Sequence, residues 1–81
     1  MIYKVYILKS LKDQKKYIGL TNNLDKRILE HNNGKVTATK NRRPFVLIYF
    51  ENFENKFEAA KREKFLKSGQ GREFLNKINV K

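Results

Sequence analysis

Apolar and polar positions alternate in blocks that map onto secondary structure. Residues 2–8, IYKVYIL, are rich in β-branched and aromatic side chains and predict a strand. SLKDQK at 10–15 predicts a polar turn, and KYIGL at 16–20 a short second strand, which closes a hairpin. Asn22 and Asn23 suit the cap of a helix starting near Leu24, with Asp25 in its first turn. Gly34, after "HNN", suits the left-handed residue that ends such a helix. KVTATKNRRP at 35–44 reads as a basic loop, and Pro44 precedes FVLIYF, an unbroken apolar run that predicts the central, doubly buried strand. ENFEN at 51–55 is a connector. Over 56–67, Phe57, Ala60, Phe65 and Leu66 recur at near-helical spacing, with Glu58 and Arg62 placed to pair at i,i+4. Gly69 and Gly71 break that helix, and a last short one carries Phe74, Leu75 and Ile78.

The order strand, strand, helix, strand, helix, helix predicts an α+β domain. Its sheet is small, three-stranded and mainly antiparallel, with about three helices packed on it. At 81 residues the chain is expected to form one domain, 1–81, with no repeat or linker dividing it. Cysteine is absent, so disulfides and thiolate metal sites are excluded. The apolar runs are far too short to span a bilayer, and MIYKVYILK lacks the basic segment and small-residue cleavage site of a signal peptide. A soluble cytoplasmic protein is expected.

Charge narrows the choice of partner. Nineteen Lys and Arg against eight Asp and Glu give a net charge of +11, which draws in polyanions and speeds their encounter. Nucleic acid is the expected partner; a merely soluble or ribosome-associated protein without chemistry would carry the same excess. No basic amphipathic helix with a strong apolar face argues for a membrane surface.

A few positions invite chemistry. Tyr6 and Tyr17 flank the hairpin and share a sheet face if its turn has an even number of residues; Gly19 then lies on that face too. A glycine there leaves room for close approach of a backbone or ligand, although two core aromatics and a strand-end glycine would look the same. Arg27 and His31, the only histidine, project from one side of a helix at i,i+4. They suit either a solvated face or a phosphate, to which a guanidinium offers forked donors and an imidazole a proton relay. Glu63 falls beside the apolar stripe of the 56–67 helix, so it needs a partner: a neighbouring Lys or Arg, or a hard cation such as Mg²⁺. Lys35, Lys40, Arg42 and Arg43 make the 35–43 loop either a phosphate-backbone track or a merely soluble segment. Zinc spacings, a P-loop and a GxSxG elbow are absent, and Ser10 and Ser68 are both distant in sequence from His31.

Taken together, these positions resemble the GIY-YIG nuclease superfamily, in particular its small single-domain bacterial members. The first motif stands here as Lys4-Val5-Tyr6 and the second as Tyr17-Ile18-Gly19, followed by Arg27, His31 and the Glu63 of "REKFLKSG". The resemblance implies a metal-dependent endonuclease acting on DNA phosphodiesters, with one Mg²⁺ or Mn²⁺ per site and a role in repair or recombination. The alternative it leaves is a nucleic-acid-binding module with the fold and little cleavage. It implies Tyr17 as general base, Tyr6 as its support, Arg27 on the scissile phosphate, His31 as phosphate contact or relay, Glu63 as metal ligand and Gly19 as the motif glycine. DNA is implied over RNA, and targeting is left to this surface or to a protein partner. Lys4 replaces the first-motif glycine, Leu20 stands where repair-type relatives carry lysine, and Asn76 lies near the position of a late asparagine in larger relatives.

Overall fold

A computed structural model describes residues 1–80. The elements run β1 (Tyr3–Ser10), β2 (Lys16–Thr21), α1 (Leu24–Asn32), a 3-10 turn (Lys40–Arg42), β3 (Phe45–Phe53), α2 (Lys56–Lys67) and α3 (Gly69–Lys77). The α+β class and the antiparallel three-stranded sheet are as expected from the sequence.

The strand order β2-β1-β3 corrects one expectation. β1, not the FVLIYF strand, is central and buried on both faces: Val5, Ile7 and Leu8 are 0% exposed and Tyr6 1%. β3 lies at an edge and leaves Val46, Leu47 and Phe50 exposed. The unbroken apolar run therefore marks neither burial on two faces nor a central place: of β3 only Phe45 is buried, because one edge of the strand and much of its surface carry no covering element. Here the tight hairpin puts β2 on one edge of β1, and β3 takes the other, with Ile48 inserted as a bulge opposite the Ile7–Leu8 step.

Two cores follow from the alternation of β1. Val5 and Ile7 face α2 and α3, where Ala59, Leu66 and Leu75 close over them. Tyr6 and Leu8 face the other way, toward Leu24, Phe45, Tyr17 and Ile28. On α2 the buried positions are Ala59 and Leu66, whereas Phe57 is 79% exposed, so the helix turns a different stripe inward from the one its large residues suggest. Arg62 likewise does not pair with Glu58. It reaches the sheet and clamps Glu51 through Nε (2.8 Å) and a second guanidinium nitrogen (3.1 Å), while lying over Phe65 and Phe74. A forked contact to a half-buried carboxylate outweighs an exposed helical pair worth only ~0.3–0.5 kcal/mol.

The helix boundaries have local causes. The Asn23 side chain accepts from the Lys26 amide at the start of α1. At its end Gly34 adopts φ 76°, with Gly34 N–H donating to His31 C=O and Lys35 N–H to Glu30 C=O, the Schellman pattern. The break before α3 falls at Ser68 rather than at the glycines; its hydroxyl accepts from the Gly71 amide, so both glycines belong to α3. Among the described residues no helix is long and apolar enough to cross a membrane.

Candidate active site

The face of β1 that carries Tyr6 is completed by the hairpin register. Tyr6 pairs with Gly19 and Leu8 with Tyr17, so both tyrosines and the glycine share one face. Gly19 is the space Tyr6 uses: a Cβ there would sit 2.5 Å from Tyr6 Cζ and closer still to its hydroxyl. α1 lies over this face. Its last turn is held to β3 by Asn32, whose amide donates to Phe45 C=O (3.2 Å) and accepts from Phe45 N–H (2.7 Å). That anchor delivers His31 onto the two phenols, with its ring centroid 5.9 Å from Tyr6 and 5.0 Å from Tyr17.

His31 is wholly buried, and both ring nitrogens are engaged. Nε2 lies 2.9 Å from the Tyr6 hydroxyl and Nδ1 2.8 Å from the Thr39 hydroxyl, which itself lies 3.4 Å from the Val36 carbonyl. The ends of this chain are compatible with one direction. Arg27, which can only donate, stands at the Tyr6 hydroxyl, and the Val36 carbonyl can only accept. With Arg27 donating to Tyr6 and Thr39 donating to Val36, the arrangement accommodates Tyr6 O–H donating to Nε2 and Nδ1–H donating to Thr39. Burial pushes His31 below its ordinary 6.5, Arg27 adds to that shift and Glu30 opposes it, so the balance favours the uncharged ring.

The charges of the site converge on the same phenol. Burial raises Tyr6 above its ordinary 10.0; Arg27 opposes this by hydrogen bonding and charge, while Tyr17 and Glu63 add to it. The hydrogen bond to Tyr6 likewise raises Arg27, which also pairs with Glu30 at 3.2 Å. Glu63 thus makes itself felt at Tyr6 from α2, although its nearest partner is Lys67 Nζ at 3.0 Å. Tyr6, Tyr17, Gly19, Arg27 and His31 therefore come together from three elements, with the charge of Glu63 acting on Tyr6 from α2.

The basic loop is placed differently. Arg42 donates to Asp13 at 2.8 Å and lies over Phe45, and its hydrogen bond pulls the Asp13 carboxyl down to about 2. Arg43 Nε donates to the Lys40 carbonyl at 2.7 Å. These arginines brace the loop against the hairpin turn, while the Lys35 and Lys40 side chains are exposed. Thr39 has no counterpart among the residues expected from the sequence, because a threonine inside a basic loop carries no signal of burial until a histidine is brought onto it.

The family model for the GIY-YIG catalytic domain matches residues 2–79. The chain belongs to the GIY-YIG family. It is 50% identical over 78 residues to a UPF0213 protein of Clostridium perfringens, covering 95% of this chain and 83% of that one. A UPF0213 protein of Staphylococcus haemolyticus is 45% identical over 75 residues, covering 91% and 90%. The solution NMR structure of a UPF0213 protein from Bacillus halodurans superposes with a TM-score of 0.59 at 36% identity, covering 99% of this chain and 87% of that one. The GIY-YIG family is one of nucleases, which generally depend on a divalent metal.

The donor set sorts the metals that a GIY-YIG site built from these residues accepts. Among the described residues no cluster of three or more His, Cys, Asp or Glu could hold an ion. One carboxylate, Glu63, its side chain 23% exposed and already holding a cation in Lys67, fits Mg²⁺ or Mn²⁺, whose remaining positions water and phosphate fill. It does not fit zinc, which takes three or four protein ligands.

Proposed function

We propose that this protein is a divalent-metal-dependent endonuclease that hydrolyses DNA phosphodiester bonds, with repair or recombination as its setting and the cytoplasm as its compartment. The observation that carries this reading is the buried chain from Tyr6 through His31 to Thr39, with Arg27 at its open end and Glu63 acting on the same phenol. Tyr17 is only half-buried and so within reach of a water molecule, from which it takes a proton. Tyr6, sealed by Gly19 and His31, holds Arg27, and Arg27 stabilises charge growing on the scissile phosphate. His31 receives the Tyr6 hydrogen bond and so acts as relay rather than as a direct phosphate contact, being fully buried. Glu63 is the side chain that would hold Mg²⁺ or Mn²⁺, one per site, and such an ion supplies Lewis-acid stabilisation of the phosphate.

A second reading, a nucleic-acid-binding module with little cleavage, is favoured by one observation. Arg27 and Glu63 each sit in an ion pair, with Glu30 and Lys67. Both are partly exposed helical pairs of a kind worth ~0.2–0.5 kcal/mol, which a phosphate or a divalent ion outcompetes, so neither pair counts against the enzyme. The test offers supercoiled, single-stranded and branched DNA, with Mg²⁺ or Mn²⁺, to the wild-type protein and to Glu63→Ala. Cleavage by the wild type that falls ~10²-fold or more in the variant supports the nuclease. Binding with no cleavage supports the module, and RNA offered beside DNA separates the two polymers.

A further inference from the structure

Outside the phenol–imidazole cluster, a cleft lies between β2 and the α2–α3 corner. It encloses about 550 Å³ and is walled by Lys15, Lys16, Lys67 and Arg72, with Tyr17 at one side and buried Leu66 in its floor. Among the described residues no acidic side chain lines it. Among those same residues, Lys15, Lys16 and Arg72 take part in no ion pair, and Lys67 pairs only with Glu63. Four cations around one opening exceed what a single phosphate neutralises and suit successive phosphates of a strand.

Two residues join this cleft to the site. Tyr17 is at once its wall and the ring neighbour of His31, and Lys67 is at once its wall and the partner of Glu63. A strand whose phosphate lies at Arg27 and Glu63 therefore leaves past Tyr17 into the cleft. β2 is an edge strand, so no further strand blocks that path. The arginines of the 35–43 loop, by contrast, are committed to Asp13 and to a backbone carbonyl. We propose that the Lys15–Lys16–Lys67–Arg72 cleft is the phosphate-backbone subsite for the DNA strand flanking the scissile bond. This rests on the endonuclease reading but is tested by binding alone.

The experiment measures anisotropy of a fluorescent duplex oligonucleotide against salt concentration, in EDTA so that nothing is cut. It compares the full chain, the triple variant Lys15→Gln, Lys16→Gln, Arg72→Gln, and a charge-matched control, Lys56→Gln, Lys61→Gln, Lys64→Gln, on α2 outside the cleft. Every phosphate that the protein no longer neutralises lowers the slope of log K against log salt by ~0.9, so the cleft variant loses ~2–3 and the control well under one. Thermal melts verify that all three are folded, and amide shifts at 15–17 and 67–72 on titrating the oligonucleotide give a second readout. Equal losses in both variants would mean diffuse attraction and overturn the subsite. An unchanged slope in the cleft variant, with the wild type still binding and cutting DNA, overturns the subsite and leaves the nuclease standing. Displacement of the oligonucleotide by millimolar inorganic phosphate at constant ionic strength would make this a small-anion site and overturn the strand subsite, and failure of the wild type to bind DNA overturns both proposals.

Discussion

Replacing Thr39 with valine keeps the outline of the side chain and removes one oxygen. That oxygen lies at hydrogen-bond distance, 2.8 Å, from His31 Nδ1 in a position 0% exposed, so no water takes its place. Two responses are open to the protein. His31 keeps its proton on Nδ1 and leaves a buried donor unpaired, at ~1–3 kcal/mol. Otherwise the proton moves to Nε2, and the Tyr6 hydroxyl must turn round and accept from both the imidazole and Arg27. Either way stability falls, and in a domain this small ~1–3 kcal/mol corresponds to roughly 5–20 °C in Tm. Thr39→Ser restores the hydroxyl and should recover most of the loss, which separates the hydrogen bond from the packing of the methyl group. Thermal melts by circular dichroism give the first number, and ¹⁵N shifts of the His31 ring report which nitrogen carries the proton. The expected wild-type pattern is Nδ1–H, with cleavage by Thr39→Val reduced alongside the melt. A valine variant that melts within ~2 °C of wild type and retains Nδ1–H would refute the reasoning.

Gly19→Ala should drive a methyl group into the Tyr6 ring, since a Cβ would lie 2.5 Å from Cζ of a side chain that is buried and hydrogen-bonded. Destabilisation of ~1–3 kcal/mol and cleavage reduced ~10–100-fold are expected in melts and nicking assays; wild-type rates would mean that Tyr6 moves without consequence. For His31 the folded value lies below the ordinary 6.5, so on acidification the unfolded chain takes up the proton first. The stability tied to this ring is complete above pH 6.5 and declines as the pH falls below it toward the folded value. Tm should therefore drop between about pH 7.5 and about pH 5.5 in the wild type and less in His31→Gln, and parallel curves for the two proteins would remove His31 as the source.

Much of the fold was open to reading from composition and spacing. The Asn23 cap, the Gly34 stop and the α2 bounds were visible because each is a local event, decided within a few residues by hydrogen bonding and backbone freedom. The central position of β1 was not, because strand order depends on which edge a distant segment joins. Nor was the Glu51 partner of Arg62, which a local i,i+4 rule assigned to Glu58.

The site divides along the same line. Residue types and spacing by themselves set the hairpin, the shared side of Arg27 and His31, and the cationic excess that selects a polyanion. Only the tertiary structure brought Thr39 beneath His31, set His31 at the Tyr6 hydroxyl, and drew Lys15, Lys16, Lys67 and Arg72 around one cleft. The reason is physical: a buried polar group takes its role from partners far along the chain, and those partners become neighbours only when the cores close.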